Sequence, residues 1–258
     1  MNQRASGGAH TSRTMLLADL ASVLAACPAD SSLNDYRIAI VRQNVAGKDS
    51  QSSRERTFRY LRELYRLDVD DASFRGLLRL WALDQQGRPQ IAMLMAVAND
   101  RALAATASGV MSLLTDAPVT STALADAIER EFPDSYSDAI RAKIGRNALS
   151  SWTQAGYLHR SSPRSPAHRR PVDPTPGTVV MALLLGKADG LSGERLFNSR
   201  YATLLDTPSG TLHDRVHEAA RKGWLEYRSR GTVTEVDLEA LVAELNDARL
   251  PVGAGVSV

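Results

Sequence analysis

Between Ala139 and Arg170 the chain carries seven Lys or Arg, two His and no Asp or Glu, while the rest of the sequence holds more acidic than basic residues. Clustering of this kind, rather than the totals of 31 basic and 29 acidic residues, creates an electrostatic footprint for a polyanion. The first half of the run, AIRAKIGRNALSSWTQ, has helical spacing. With Ile140, Ile144, Ala148 and Trp152 as its inner stripe, a step of about 100° per residue turns Ala142, Lys143, Arg146, Ser150 and Thr153 outward. Arg141 falls nearer the stripe and reaches phosphate only by snorkelling from the helix start. The second half, AGYLHRSSPRSPAHRR, reads as a short strand opening into a basic, Pro-broken loop. There Arg160, Arg164, Arg169 and Arg170 are placed to add phosphate contacts. A basic helix followed by a basic wing points to double-stranded DNA as the partner.

Other candidate chemistry is sparser. His213 and His217 in HDRVH stand four apart, on one side of a helix, as zinc ligands would. The zincin pattern, however, needs Glu after the first His, where this chain has Asp214. Two ligands do not make a zinc site, so polar flank residues are the plainer reading and no metal or cofactor is expected. No Gly-Lys-Ser/Thr phosphate loop, dinucleotide glycine fingerprint or Gly-x-Ser-x-Gly elbow occurs. His10 falls in a leader read as disordered, and His159 and His168 in the basic wing. An enzyme would need a site assembled wholly from distant residues, and none is expected.

Stepping outward from the basic run, helices dominate. Thr11 or Ser12 is positioned to cap a helix over 13–27, and a second follows over 33–46. Ser52 and Glu55 have capping-box spacing for a third, with Phe58, Leu61, Leu64 and Tyr65 buried. Its arginine row, including Arg56, Arg59 and Arg66, is either a phosphate contact or, more blandly, a solvated face. Two further helices are predicted over 72–84 and 89–114, broken by QQGRP. The segment TSTALADAIEREF then forms a helix with Leu124 and Ile128 inward, and Ser137 or Asp138 caps the basic helix. Gly156 suits its left-handed stop. The prolines between 163 and 176 predict a mobile loop that doubles as a linker.

A second unit of similar layout follows. TVVMALLLGKA and SGERLFNSRYATLL read as helices, Thr207 and Pro208 as the cap and first residue of a third, and 224–236 as a β-hairpin, before a last helix over 237–247. Gly156-Tyr157-Leu158 and Gly223-Trp224-Leu225 each close an amphipathic helix. The expected fold class is therefore mainly α: a disordered leader (1–12), a helical N-terminal domain (13–105), a winged helix with a Pro-rich basic wing (106–176), a second winged helix (177–248) and a frayed tail (249–258). In the second unit Thr211, Arg221 and Lys222 face outward, joined by Arg228 and Arg230 of the hairpin. Asp214 and Glu218 share that face and oppose phosphate. The first unit is thus the better DNA reader, and the second suits protein contact equally well.

The lone Cys27 excludes an internal disulfide framework and fits a reducing cytoplasm. No apolar run is long enough to span a bilayer, so neither a membrane nor a targeting segment is expected.

The segment Asn44 to Asp68, NVAGKDSQSSRERTFRYLRELYRLD, resembles the BREX phage-defence A-component family (BrxA-like), in which an Asn precedes a Ser-rich helix cap and an Arg/Leu-rich helix. The layout over roughly residues 15 to 240 is similar as well, including the phrase Ala155-Gly156-Tyr157-Leu158. This resemblance implies a small non-enzymatic DNA-binding accessory of a multi-protein system that methylates host DNA and blocks phage replication, with other defence proteins as further partners. It carries no catalytic residues. Two rival readings are an interaction scaffold whose winged helices bind protein, and a ligand-sensing transcriptional regulator.

Overall fold

The computed structural model describes residues 8–162, 164–230 and 233–243. The N-terminal part is helical throughout: α1 (Leu17–Ala26), α2 (Leu33–Arg37), α3 (Gln51–Tyr65), α4 (Ala72–Leu83), α5 (Arg88–Asn99), α6 (Arg101–Ala105) and α7 (Ser108–Met111). Local side chains set most of the starts. Ser32 and Asp35 form a reciprocal capping box on α2, and the Asp71 carboxylate accepts the Phe74 amide at 3.0 Å to begin α4, which satisfies amides that have no partner within the helix.

Several boundaries differ from those predicted. The third helix is capped by Ser50, whose extended backbone lets its hydroxyl accept the Ser53 amide at 3.2 Å; Ser52 lies inside the first turn, and Glu55 pairs with Arg37 instead. The helix predicted over 33–46 widens after Arg37 into a π turn over Ile38–Arg42. Neither Thr11 nor Ser12 caps α1, because residues Ala9–Thr11 wind a separate 3-10 turn and the helix starts only after Leu16. The span 89–114 becomes three helices, and at the first break the Asp100 carboxylate accepts the amides of Ala102 and Leu103 at 3.0 and 3.2 Å, starting α6 immediately after α5 stops.

The middle of the chain continues with β1 (Pro118–Val119), α8 (Ser121–Glu131), α9 (Asp138–Gln154), β2 (Leu158–His159) and β3 (Ala167–Arg169). The strands form one antiparallel sheet in the order β1-β3-β2, with Pro118 opposite His168 and Leu158 opposite Arg169. The basic loop expected to wander is thus the turn of a hairpin edged by a third strand. Helices α8 and α9 meet closely at Gly145, where an added Cβ would lie 2.2 Å from the Ser121 carbonyl oxygen. The first turn of α9 lies more than a turn before that approach, which leaves Ile140, expected in the inner stripe, 42% exposed.

After it come α10 (Pro176–Ala188), a 3-10 segment (Gly193–Asn198), α11 (Arg200–Thr203), α12 (Ser209–Arg221), the antiparallel hairpin of β4 (Glu226–Arg230) and β5 (Val233–Asp237), and α13 (Glu239–Val242). Ser199 interrupts the helix predicted over 192–205 by capping α11. Pro208 keeps an extended ψ of 146° and occupies the cap position itself, so Thr207 does not cap α12. The remainder of the last predicted helix and the frayed tail lie outside the described residues, as does most of the leader.

Every residue of α10 from Pro176 to Gly186 is buried, as a helix apolar on all sides must be. It packs against α4, α5, α11 and α12. One hydrophobic core consequently runs from Ala9 to Leu241, and the expected boundary at 176/177 does not separate two cores. The buried Asp84 carboxylate reinforces the junction by accepting the amides of Gly87 and Gly177 at 3.0 and 2.9 Å.

Helices α9 and α12 stop in the same way. Gly156 and Gly223 take φ of +85° and +73°. The amide of the next residue returns to the carbonyl five positions back, Tyr157 to Trp152 at 3.0 Å and Trp224 to Ala219 at 3.1 Å. This is the Schellman stop, which favours glycine because only a residue without Cβ enters that region freely. The aromatic and Leu that follow each glycine are buried.

Candidate nucleic-acid interface

Ile144, Ala148, Ser151 and Trp152 turn inward from α9, and the Trp152 indole N–H donates to the Thr106 hydroxyl at 2.8 Å. That buried stripe fixes the helix rotation and leaves Lys143, Arg146 and Ser150 exposed. Neither Lys143 nor Arg146 forms an ion pair among the described residues. Arg146 lines a shallow groove between α8 and α9 with Ser121, Thr122, Asp126 and Arg141. Arg141 does not belong to the free basic face: it bridges Glu129 of α8 and Asp138. Its hydrogen bond, followed by one from the Asp134 amide, holds the Glu129 carboxyl below the usual carboxylate range.

From the hairpin, Arg160, Arg164 and Arg170 are exposed. Arg160 donates to the Ser165 carbonyl at 2.6 Å and so closes the turn with part of its guanidinium. Arg169, predicted to touch phosphate, is instead 2% exposed. Along β3 side chains alternate, with Ala167 and Arg169 facing in and His168 between them facing out, the period-two rule of a strand. Arg169 pairs with Asp206 at 2.5 Å and donates to the Arg170 carbonyl, joining the hairpin to the segment ahead of α12. His168 and His159 sit opposite one another with ring centroids 5.8 Å apart.

The corresponding C-terminal surface is more nearly neutralised. Thr211 is half-buried, and Arg221, Lys222, Arg228 and Arg230 are exposed. Lys222, however, reaches Glu218 at 2.8 Å, and Glu218 also faces Arg215 at 3.4 Å. The Lys222 hydrogen bond leads the influences that lower the Glu218 pKa. Arg228 lies against Glu226 and Glu235. In the HDRVH segment both nitrogens of His213 are engaged, Nδ1 with the Tyr227 hydroxyl at 2.5 Å and Nε2 with Glu194 at 3.2 Å, while its ring stacks on Phe197. His217 meets Tyr227 edge-on at 4.7 Å. Among the described residues no group of three or more His, Cys, Asp or Glu is gathered as a metal site would need.

Sequence spacing gave no sign of one constellation. His10, read as part of a disordered leader, is fully buried. Its Nδ1 meets the Asp100 carboxylate at 2.9 Å and its Nε2 the Ser151 hydroxyl at 2.8 Å. The order Asp-His-Ser is that of a hydrolytic relay, but the Ser151 hydroxyl is fully buried, accepts the Met15 amide at 2.9 Å and donates to the Asn147 carbonyl at 3.0 Å. A nucleophile so enclosed has no route to a substrate in this conformation. The three residues act as a tie that straps the segment ahead of α1 across α6 and α9, reinforced by Asn147 donating to the His10 carbonyl at 2.8 Å. No protein-family model and no curated protein matches this chain.

Proposed function

We propose that the protein is a non-enzymatic DNA-binding protein whose segment from α6 to β3 works as a winged helix. In this reading α9 enters the major groove with Lys143, Arg146 and Ser150, and Arg160, Arg164 and Arg170 of the hairpin contact the backbone. The observation that carries it is the exposed, carboxylate-free side of α9 beyond its first turn, set beside three exposed arginines of one hairpin. Reversing Lys143 and Arg146 together to Glu is expected to abolish salt-sensitive retardation of duplex DNA while leaving the circular dichroism spectrum intact. Retained binding by the folded variant overturns the assignment.

The unit around α12 favours a second role, contact with protein, because Glu218 and Glu226 already occupy the basic groups beside them and a phosphate would have to displace them. Together with the resemblance to BrxA-like proteins, this gives the reading of a DNA-binding accessory within a multi-protein phage-exclusion system. A methyltransferase and a large ATPase encoded alongside, and loss of phage restriction on deletion, are the outcomes that test it.

A further inference from the structure

The first DNA-facing surface does not use the most arginine-rich helix of the protein. At about 100° per residue, Arg56, Arg59 and Arg62 of α3 fall within one sector of about 120°, and these three and Arg66, just past the end of the helix, are exposed. The carboxylates in the same sector are Glu55 and Glu63. Glu55 faces Arg37 at 3.5 Å, Glu63 faces Arg59 at 3.8 Å, and Arg66 is near Asp71 at 4.0 Å. Arg56 and Arg62 are left without an ion pair among the described residues.

This face is connected to α9 by the N-terminal strap. The 3-10 turn Ala9–Thr11 packs on both α3 and α9. Asn147 of α9 holds the His10 carbonyl. On the other side the Tyr60 hydroxyl is within hydrogen-bond reach of Ser12 and accepts from Arg59 at 2.8 Å. Two more basic residues lie along this connection, Arg13 near Tyr60 and the exposed Arg101, which stacks over Phe132 at 5.0 Å; neither forms an ion pair among the described residues. Phe132 holds Arg101 by its ring rather than by a carboxylate, which leaves that positive charge uncancelled, whereas Arg59 lies over the Tyr60 ring at 4.7 Å and also faces Glu63.

We infer that the exposed side of α3 is a second phosphate-contact surface, with Arg56 and Arg62 as its free cations, engaging the sugar-phosphate backbone of the same duplex beyond the part met by α9. The occupant is a polyanion of regularly spaced phosphates, because the surface offers guanidinium groups without an apolar anchor for a protein hot spot. The inference rests on the DNA-binding reading but on different residues.

The test is the slope of log affinity against log salt concentration for a duplex, measured on the full chain and on the Arg56→Gln/Arg62→Gln variant. Each phosphate contact contributes about 0.9 to that slope, so losing two makes it shallower by about 1.8. Ethylation interference outside the α9 footprint is expected to disappear with it. A slope and footprint equal to wild type overturn the α3 surface. If the Lys143→Glu/Arg146→Glu variant has meanwhile lost binding, the α9 reading survives alone. If that variant still binds and the α3 variant does not, the α9 reading fails and α3 is the principal surface. No duplex binding by wild type at low salt removes both.

Discussion

The segments ending at Gly156 and Gly223 follow one plan yet offer different surfaces. Both helices finish in the same left-handed stop, bury an aromatic and a Leu beyond it, and turn into antiparallel strands. What differs is chemistry one turn earlier. Five residues before the glycine, α9 has Ser151, buried and tied to His10, whereas α12 has Glu218, near the surface and bonded to Lys222. A small hydroxyl lets the strap lie against α9 and leaves the exposed side of that helix to Lys143 and Arg146. A carboxylate at the matching position on α12 neutralises the cations around it. The stop fixes geometry, and Glu218 beside it, with Glu226 and Glu235 on the hairpin, offsets the basic groups of the second surface.

The largest effect that would break this comparison is on DNA. Charge reversal at Lys143 and Arg146 is expected to eliminate retardation, whereas the matching reversal at Arg221 and Lys222 leaves affinity within about threefold, since Lys222 is already paired. Equal losses from the two variants would make the units equivalent partners in binding.

Next in size is the tie that only the first unit possesses. Replacing Asp100 with Ala strands His10 and two helix-start amides in the interior, and should lower unfolding free energy by about 3 kcal/mol in a denaturant titration. Burial alone would raise the Asp100 pKa, but hydrogen bonds and charge from His10, with the Leu103 amide, outweigh it and hold the carboxyl below its ordinary range. A lowered folded pKa contributes stability above the unfolded value of about 3.9 and loses it as pH falls through the folded value. Wild type should therefore weaken as pH drops below about 4, and Asp100→Asn should flatten that slope. The same slope in both proteins would show that Asp100 does not control it.

The smallest effect probes what the units share. With no atom within 4 Å of a Cβ added at Gly156 or Gly223, Ala at either position meets backbone strain alone. Each substitution should cost about 1 kcal/mol, measured as a shift in the unfolding midpoint. A difference between them of more than about 1 kcal/mol would mean that the two stops are not equivalent.

Much of this architecture is legible in the sequence where the signal is local. Gly156 and Gly223 mark helix ends because glycine enters their left-handed conformation most freely, and residues 224–236 alternate as a hairpin should. Lys143, Arg146 and Ser150 are exposed because a helix of 17 residues leaves little freedom once Trp152 is inside. The failures have a common origin in long-range pairing. Asp100 splits a helix that periodicity alone extends; its partner His10 lies 90 positions away, and Ser151, which His10 meets in turn, lies 141 positions from His10. Strand β1 is only two residues long, too short for a pattern, so the sheet that buries Arg169 could not be inferred from the arginine itself. Proline content predicted a wandering loop, but Pro166 lies within the hairpin turn, where no ladder amide is required.

The position of α10 has a consequence for how the protein is made. Leu184 fills the place above Gly76 that no larger residue could share, the Leu184 Cδ2 atom lying 2.2 Å from where a Cβ would stand. Until the chain through residue 188 has left the ribosome, α4 and α5 have nothing to cover that apolar side. At typical synthesis rates this interval after α5 lasts on the order of ten seconds. Until then the nascent N-terminal half leaves the α10-facing side of α4 and α5 uncovered. A chain cut in the linker before Pro176 would be an unfinished protein with an open seam.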